Sequence, residues 1–198
     1  MKRVLLAFAL YLVALVSGGC GTTLNLVPPE PATGYFPTSY SVPPQSIRVQ
    51  KPIDWPRFRK LLYIRTPSEN TQLTRFINAG LTLSGMFDVV YDKAEFERLV
   101  LDKGLAAQVG NISDLVGLNN LQKSIGDFLV LDYWVIHLAG YTYAFVVKIS
   151  DPGNGETVFH VEHRANNMAG LETPLFHPVL NSILRWGKTN QYLRTIDR

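Results

Sequence analysis

The chain has 198 residues, 46% apolar and 18% charged, enough for one domain with a real core and unlike the composition of a disordered chain. Its formal net charge is +3, and removal of a leader carrying Lys2 and Arg3 would leave about +1. The sequence pI of 9.0 therefore overstates its basic character, and a nucleic-acid partner is excluded from expectation because no domain-wide basic surface is implied.

The N-terminus reads as an export signal over residues 1–19. Lys2 and Arg3 precede an uncharged apolar run from Val4 to Val16, and the small residues Ser17, Gly18 and Gly19 precede Cys20. The run is about 13 residues, short for a helix that must cross a hydrocarbon core of roughly 30 Å. The stretch ending at Cys20 resembles a bacterial lipobox, with Ser17 standing where that pattern usually has Leu. Cys20 is the only cysteine, and a lone cysteine in an oxidising compartment needs a partner or a modification, which acylation supplies. The competing reading is ordinary cleavage near Gly19, leaving a free thiol. Gly21 follows the cysteine; by analogy with proteobacterial lipoproteins, the absence of Asp there favours the outer membrane.

Residues 20–56 read as the lipidated N-terminus and a tether. Eight of the twelve prolines lie between Pro28 and Pro56. Pro-rich chain lacks backbone donors and favours an extended, semi-rigid conformation. Two readings stay open: a disordered linker, or a segment whose aromatics Tyr35, Phe36 and Tyr40 pack along the domain or a neighbouring subunit.

The folded domain is expected over residues 57–198. Residues 60–65 read as a buried strand. A helix follows from Thr71, with Leu73, Phe76, Ile77, Leu81 and Leu83 at helical spacing, and Gly85 ends it. Residues 87–91 alternate as a strand, and 93–101 read as a helix with Phe96, Leu99 and Val100 on one face. Residues 111–114 are capping chemistry for a helix over 115–125, broken by Gly126 and Asp127. Residues 128–138 and 141–150 are dense in β-branched and aromatic side chains. Residues 151–155 make a strong turn, and 156–164 return as a strand. An amphipathic helix over 178–186 carries Val179, Leu180, Ile183, Leu184 and Trp186 on one side. The order is β-α-β-α-α-β-β-β-α. It predicts an α/β fold, an α+β sandwich of two or three layers with a mixed sheet of about five strands packed by three to four helices.

Four stretches carry a family likeness: residues 60–65; FDVVYDKAEFERLV at 87–100; SIGDFLV at 124–130; and the hairpin turn SDPGNGETVF at 150–159. Together they resemble the small periplasmic α/β domains of the TolB N-terminal, CsgG, LpoB and PelC type, over about residues 57–187. The resemblance implies an envelope lipoprotein that assembles with copies of itself or with other envelope proteins. Long membrane-hairpin insertions of the curli-pore kind are not seen, so the smaller accessory members fit better.

Catalytic equipment is thin. His160 and His163 lie on opposite faces of a strand, so only His160 and Glu162 share a face, and two ligands do not make a metal site. His137 reads as a satisfied core or interface group. No Gly-x-Ser-x-Gly elbow occurs, and the glycine turn at 153–155 lacks a following Lys-Ser/Thr. Asp127 and Asp132 flank a strand, where capping and surface roles are commoner than acid–base work. No enzyme activity, cofactor or metal is expected.

Two interaction surfaces are expected. Tyr133, Trp134, Tyr141 and Tyr143 surround a strand turn, where about half would be core and the rest a subunit contact. Trp186 with Arg185 and Lys188 suits a membrane interface or an acidic partner; the alternative is a helix simply packed on the sheet. The leading functional expectation is a lipid-anchored outer-membrane scaffold facing the periplasm, a homo-oligomer, as a ring by family analogy, in an export or secretion machine. Its rivals are a tethered activator of peptidoglycan synthesis and a hydrolase or ligand-binding lipoprotein.

Overall fold

A computed structural model describes residues 24–65, 71–166 and 170–196. Cys20 and the expected signal lie outside the described residues.

Six strands form one mixed sheet: β1 (Ile47–Gln50), β2 (Leu62–Arg65), β3 (Val90–Tyr91), β4 (Leu129–Ala139), β5 (Thr142–Asp151) and β6 (Glu156–Asn166). Their spatial order is β1-β6-β5-β4-β2-β3. β2 pairs in parallel with β3 and β4, while β4, β5, β6 and β1 form an antiparallel run. The helices are α1 (Trp55–Phe58), α2 (Thr71–Leu83), α3 (Lys93–Asp102), α4 (Ala106–Val109), α5 (Leu115–Ile125) and α6 (His177–Ile196), with a π-helical turn at Glu172–Phe176.

The local chemistry explains several boundaries. Asp92 and Glu95 form a reciprocal capping box at α3, each side chain accepting from the other's backbone N–H at 2.9 Å. Asp114 caps α5 by accepting from Gly117 N at 2.7 Å. Gly85, at φ 62°, follows α2 in the left-handed region.

The sheet has two differently covered halves. One face carries the main core, in which Leu131, Tyr133, Phe145 and Phe159 meet residues of α2 and α6 such as Phe76, Ile77, Leu180 and Ile183. On the other face Tyr63, Phe128 and Val130 pack under Phe96, Leu118 and Leu121 of α3 and α5. The parallel strand β2 is therefore buried on both sides, with Leu62, Tyr63 and Ile64 all fully buried. The antiparallel part is packed on one face and alternates in burial. The architecture is three layers over the parallel strands and two over the antiparallel ones.

The α/β class and mixed sheet agree with the sequence expectation; the strand count is six, and short helices α1 and α4 add to the helices. The sixth strand comes from the segment read as tether. From Leu24 onward this segment lies on the domain. Phe36, Val42 and Trp55 are buried in the main core, and Leu24, Leu26 and Tyr35 pack against it. Its scarce donors are met: Lys51 N donates to Val158 O at 2.9 Å, and Ile53 N to Asn190 Oδ1 at 2.8 Å. Gly80 on α2 leaves the room, since a Cβ there would come within 3.4 Å of Phe36 Cζ. The domain boundary expected at residue 57 therefore moves toward the N-terminus. The C-terminal helix is also longer than the expected 178–186, at 20 residues.

Candidate interaction surface

β2 ends at Arg65, whose strand partner on β4 is Asp132. β4 continues to Ala139 paired only with β5. Among the described residues no strand covers the outer edge of β4 beyond Asp132, so residues 134–139 form the open edge of a three-stranded wing with β5 and β6. Its tip is the two-residue turn Gly140–Tyr141; Gly140 takes φ 56°, as such hairpin turns require. The His137 ring Nε2 lies 2.8 Å from Gly140 O and its ring 5.0 Å from that of Tyr143, which stiffens the tip.

The wing is apolar and exposed. Val135, Ile136, Leu138 and Tyr141 keep 37%, 47%, 42% and 66% of their surface. Soluble monomers rarely leave such a continuous patch on an open strand edge. Strand alternation in the sequence signals one buried face; it carries no sign that the helical layers stop short of residue 134. Val135, Ile136 and Leu138 were therefore not among the expected contact residues.

The four expected aromatics divide between core and surface. Tyr133 is a core residue whose hydroxyl lies 2.6 Å from Thr74 Oγ1, so it is corrected from interface to packing. Tyr143 is partly buried against the main core. Trp134 and Tyr141 are exposed.

The C-terminal trio separates. Trp186 is buried, makes a T-shaped contact with Trp55 at 5.8 Å and donates from Nε1 to Lys51 O at 2.9 Å. This corrects the expectation of a membrane or partner contact at Trp186. Lys188 holds the N-terminal segment: its ammonium donates to Thr33 O at 3.0 Å and sits 3.9 Å over the Tyr35 ring. Arg185 is exposed, beside Tyr35 and Ser182.

His163 points into the core and its Nε2 lies 2.9 Å from Pro174 O, whereas His160 is half-buried on the opposite face. Asp127 is held by Arg57 at 2.6 and 2.8 Å, and Asp132 by Arg65 at 2.8 and 2.9 Å. The Arg57 hydrogen bonds hold the Asp127 carboxyl below the usual carboxylate range. Among the described residues no cluster of three or more His, Cys, Asp or Glu side chains could hold a metal, and no helix is long and apolar enough to cross a membrane.

The chain thus defines a class by architecture: a mixed α/β sandwich with an N-terminal segment folded back on it. No family model and no curated protein matches the sequence. Similar solved structures include the C-terminal domain of LpoB from Salmonella enterica, at 15% identity and a TM-score of 0.38, covering 55% of this chain and 84% of that one. Lipoprotein GNA1162 from Neisseria meningitidis is similar at 16% identity and a TM-score of 0.34, covering 68% and 96%. A PelC dodecamer from Paraburkholderia phytofirmans is similar at 14% identity and a TM-score of 0.37, covering 69% and 89%.

Proposed function

We propose that this chain is an outer-membrane lipoprotein, acylated at Cys20, whose periplasmic domain is a non-catalytic assembly component of an envelope export or secretion machine. Copies join through the β4–β5 wing, in a closed ring. The observation that carries this reading is the wing itself, an open strand edge with apolar side chains on both faces. A second copy is the fitting occupant because the anchor is short. Only three residues separate Cys20 from Leu24, which packs against the main core, so the lipid and the domain stand no more than about 14 Å apart along the chain. Copies confined so closely to one membrane plane meet at high effective concentration.

The same short leash disfavours the alternative, a periplasm-spanning activator of peptidoglycan synthesis. Such a regulator needs reach, and the Pro-rich residues that would supply it are folded onto the domain.

Native mass spectrometry of the full chain released in mild detergent tests the assembly. A discrete multimer is expected, and pairing Ile136→Glu with Leu138→Glu should convert it to a monomer that keeps the native circular dichroism and whose Tm no longer depends on concentration. A wild-type monomer over a wide concentration range would sink the reading. Metabolic labelling with palmitate, lost in Cys20→Ser, tests the anchor separately.

A further inference from the structure

A second feature lies on the opposite side of the sheet from the N-terminal segment. The chain leaves β2 through α2 on one face and reaches β4 through α3 to α5 on the other. From the carboxyl end of β2 the chain goes to β3 on one side, and from that of β4 it goes to β5 on the other, so the connections part between these adjacent parallel strands. A crevice at such a switch point is where open α/β sheets bind ligands. Here it is a cleft of about 540 Å³.

Strand register builds its walls. Arg65, Asp132 and Lys148 are direct neighbours across β2, β4 and β5, so their side chains share one face, and Trp134 follows two residues along β4 on the same face. Lys93, at the start of α3, closes the far side. The charges are unbalanced. Asp132 is taken by Arg65 in a bidentate pair, and Arg65 Nη1 also donates to Ser113 O at 2.9 Å, which fixes the guanidinium. Lys93 has only an exposed contact of 3.8 Å to Glu97. Lys148 has no ion pair among the described residues. Among the described residues lining the cleft, Arg65, Lys93 and Lys148 thus outnumber the single carboxylate, Asp132, which Arg65 already holds.

Tyr63 also lines the cleft. Its ring is locked face to face on Phe96, with centroids 4.0 Å apart and planes 8° from parallel. Its hydroxyl is buried and has no hydrogen-bond partner. Burial pushes its pKa up, so it stays a proton donor at physiological pH. A buried donor left unpaired carries a standing cost that an acceptor brought by a ligand would remove. Opposite, Trp134 keeps 39% of its surface and offers a flat aromatic wall. Cations, an unmet neutral donor and an aromatic plane together suit a ring that is polar at its rim, apolar on its face, and negatively charged.

We propose that this cleft binds an acidic sugar, its carboxylate or phosphate between Lys93 and Lys148, its ring face on Trp134 and one of its oxygens accepting from the Tyr63 hydroxyl. The site shares Trp134 with the base of the wing, so the titration is run on both the wild-type chain and the Ile136→Glu, Leu138→Glu chain, and binding is expected in each.

Tryptophan fluorescence reads the site, because Trp55 and Trp186 are buried and only Trp134 is accessible. The full chain in mild detergent is titrated with glucuronate, glucose 6-phosphate, glucose and adenosine monophosphate. Saturable quenching by glucuronate or glucose 6-phosphate is expected, the tighter of the two naming the charged group, with glucose at least about tenfold weaker because it lacks the charge-assisted bonds. Lys148→Ala should weaken the acidic sugar about tenfold, by loss of a hydrogen bond to a charged group. Tyr63→Phe is decisive. It should weaken binding several-fold while leaving Tm unchanged or higher, because it removes an unmet donor. No saturation by either acidic sugar, equal affinity for glucose, or unchanged affinity in both variants would overturn the proposal. Tighter binding of adenosine monophosphate than of either sugar would overturn the sugar assignment.

Discussion

Asn181 grips the Phe36 peptide from both sides. Its Oδ1 accepts from Phe36 N at 2.7 Å and its Nδ2 donates to Phe36 O at 2.9 Å. One side chain on α6 thus supplies both partners that a strand neighbour would give. The Phe36 ring is buried between α2 and α6 and stacks on His177 at 5.4 Å. This clamp, with Lys188 over Tyr35 and His177 Nδ1 3.0 Å from Pro37 O, turns a proline-rich segment into a third component of the core.

Asn181→Ala should therefore loosen the segment before it unfolds the sheet. Two hydrogen bonds to part-buried backbone are lost, for about 1–3 kcal/mol. Hydrogen exchange should rise at residues 24–42 while β4 to β6 keep their protection. Uniform loss of protection would show that the segment and the sheet open as one unit.

The buried histidines give a pH dependence with a defined sign. Burial lowers the pKa of both His163 and His177 below the ordinary 6.5, outweighing the opposing effect of their bonds to Pro174 O and Pro37 O. Each has its second ring nitrogen buried without a partner, His163 at Nδ1 and His177 at Nε2. The unfolded chain then binds protons at a higher pH than the native one. Their contribution is fully present above pH 6.5 and is lost as pH falls from there toward the native values. Urea midpoints should drop across that window and flatten in a double replacement, His163→Gln with His177→Gln.

How much of this was legible can be read from particular residues. β2, α2, α3 and α5 were visible because each buries a simple run or stripe, and α3 and α5 also carry Asp caps at fixed offsets. The N-terminal segment was not. Phe36, Val42 and Trp55 recur at no helical or strand period, and the prolines between them read as spacer chemistry. Trp186 offered two signals: basic neighbours pointing to an interface, and the 179–183–186 spacing pointing into the core. The spacing was right, since burial of the indole outweighs what its neighbours' charges contribute. The cleft was invisible for another reason. Tyr63, Arg65, Asp132 and Lys148 meet only through the register of three strands far apart in sequence.

Trp186 itself should behave as a core residue. Trp186→Ala should cost about 3–5 kcal/mol, as truncation of a buried aromatic does. Trp186→Phe should cost less, mainly the bond from Nε1 to Lys51 O. Where the variants fold, flotation with vesicles should match wild type. Reduced flotation by folded Trp186→Phe would restore a membrane role to this position.

Gly117 supplies a test in which helix propensity and packing pull in opposite directions. Within α5, alanine is intrinsically better than glycine by about 1 kcal/mol. A Cβ at Gly117 would, however, collide with the Asn111 carbonyl oxygen and lie 2.6 Å from the Asn111 carbonyl carbon and 2.9 Å from Val109 O. These are backbone atoms of the turn that leads into the Asp114 cap, so no rotamer change relieves them. Overpacking against fixed neighbours costs about 1–3 kcal/mol, enough to exceed the propensity gain. Gly117→Ala should lower Tm, whereas Ser124→Ala on an exposed position of the same helix should leave it unchanged or slightly raised. Asn111, which would be displaced, accepts from Ser113 N through its Oδ1, and the Ser113 carbonyl accepts from Arg65. Gly117→Ala should therefore disturb the Arg65–Asp132 pair as well, seen as shifted Arg65 side-chain resonances. A stabilised Gly117→Ala with those resonances unmoved would mean that the turn yields freely and that close packing there constrains nothing.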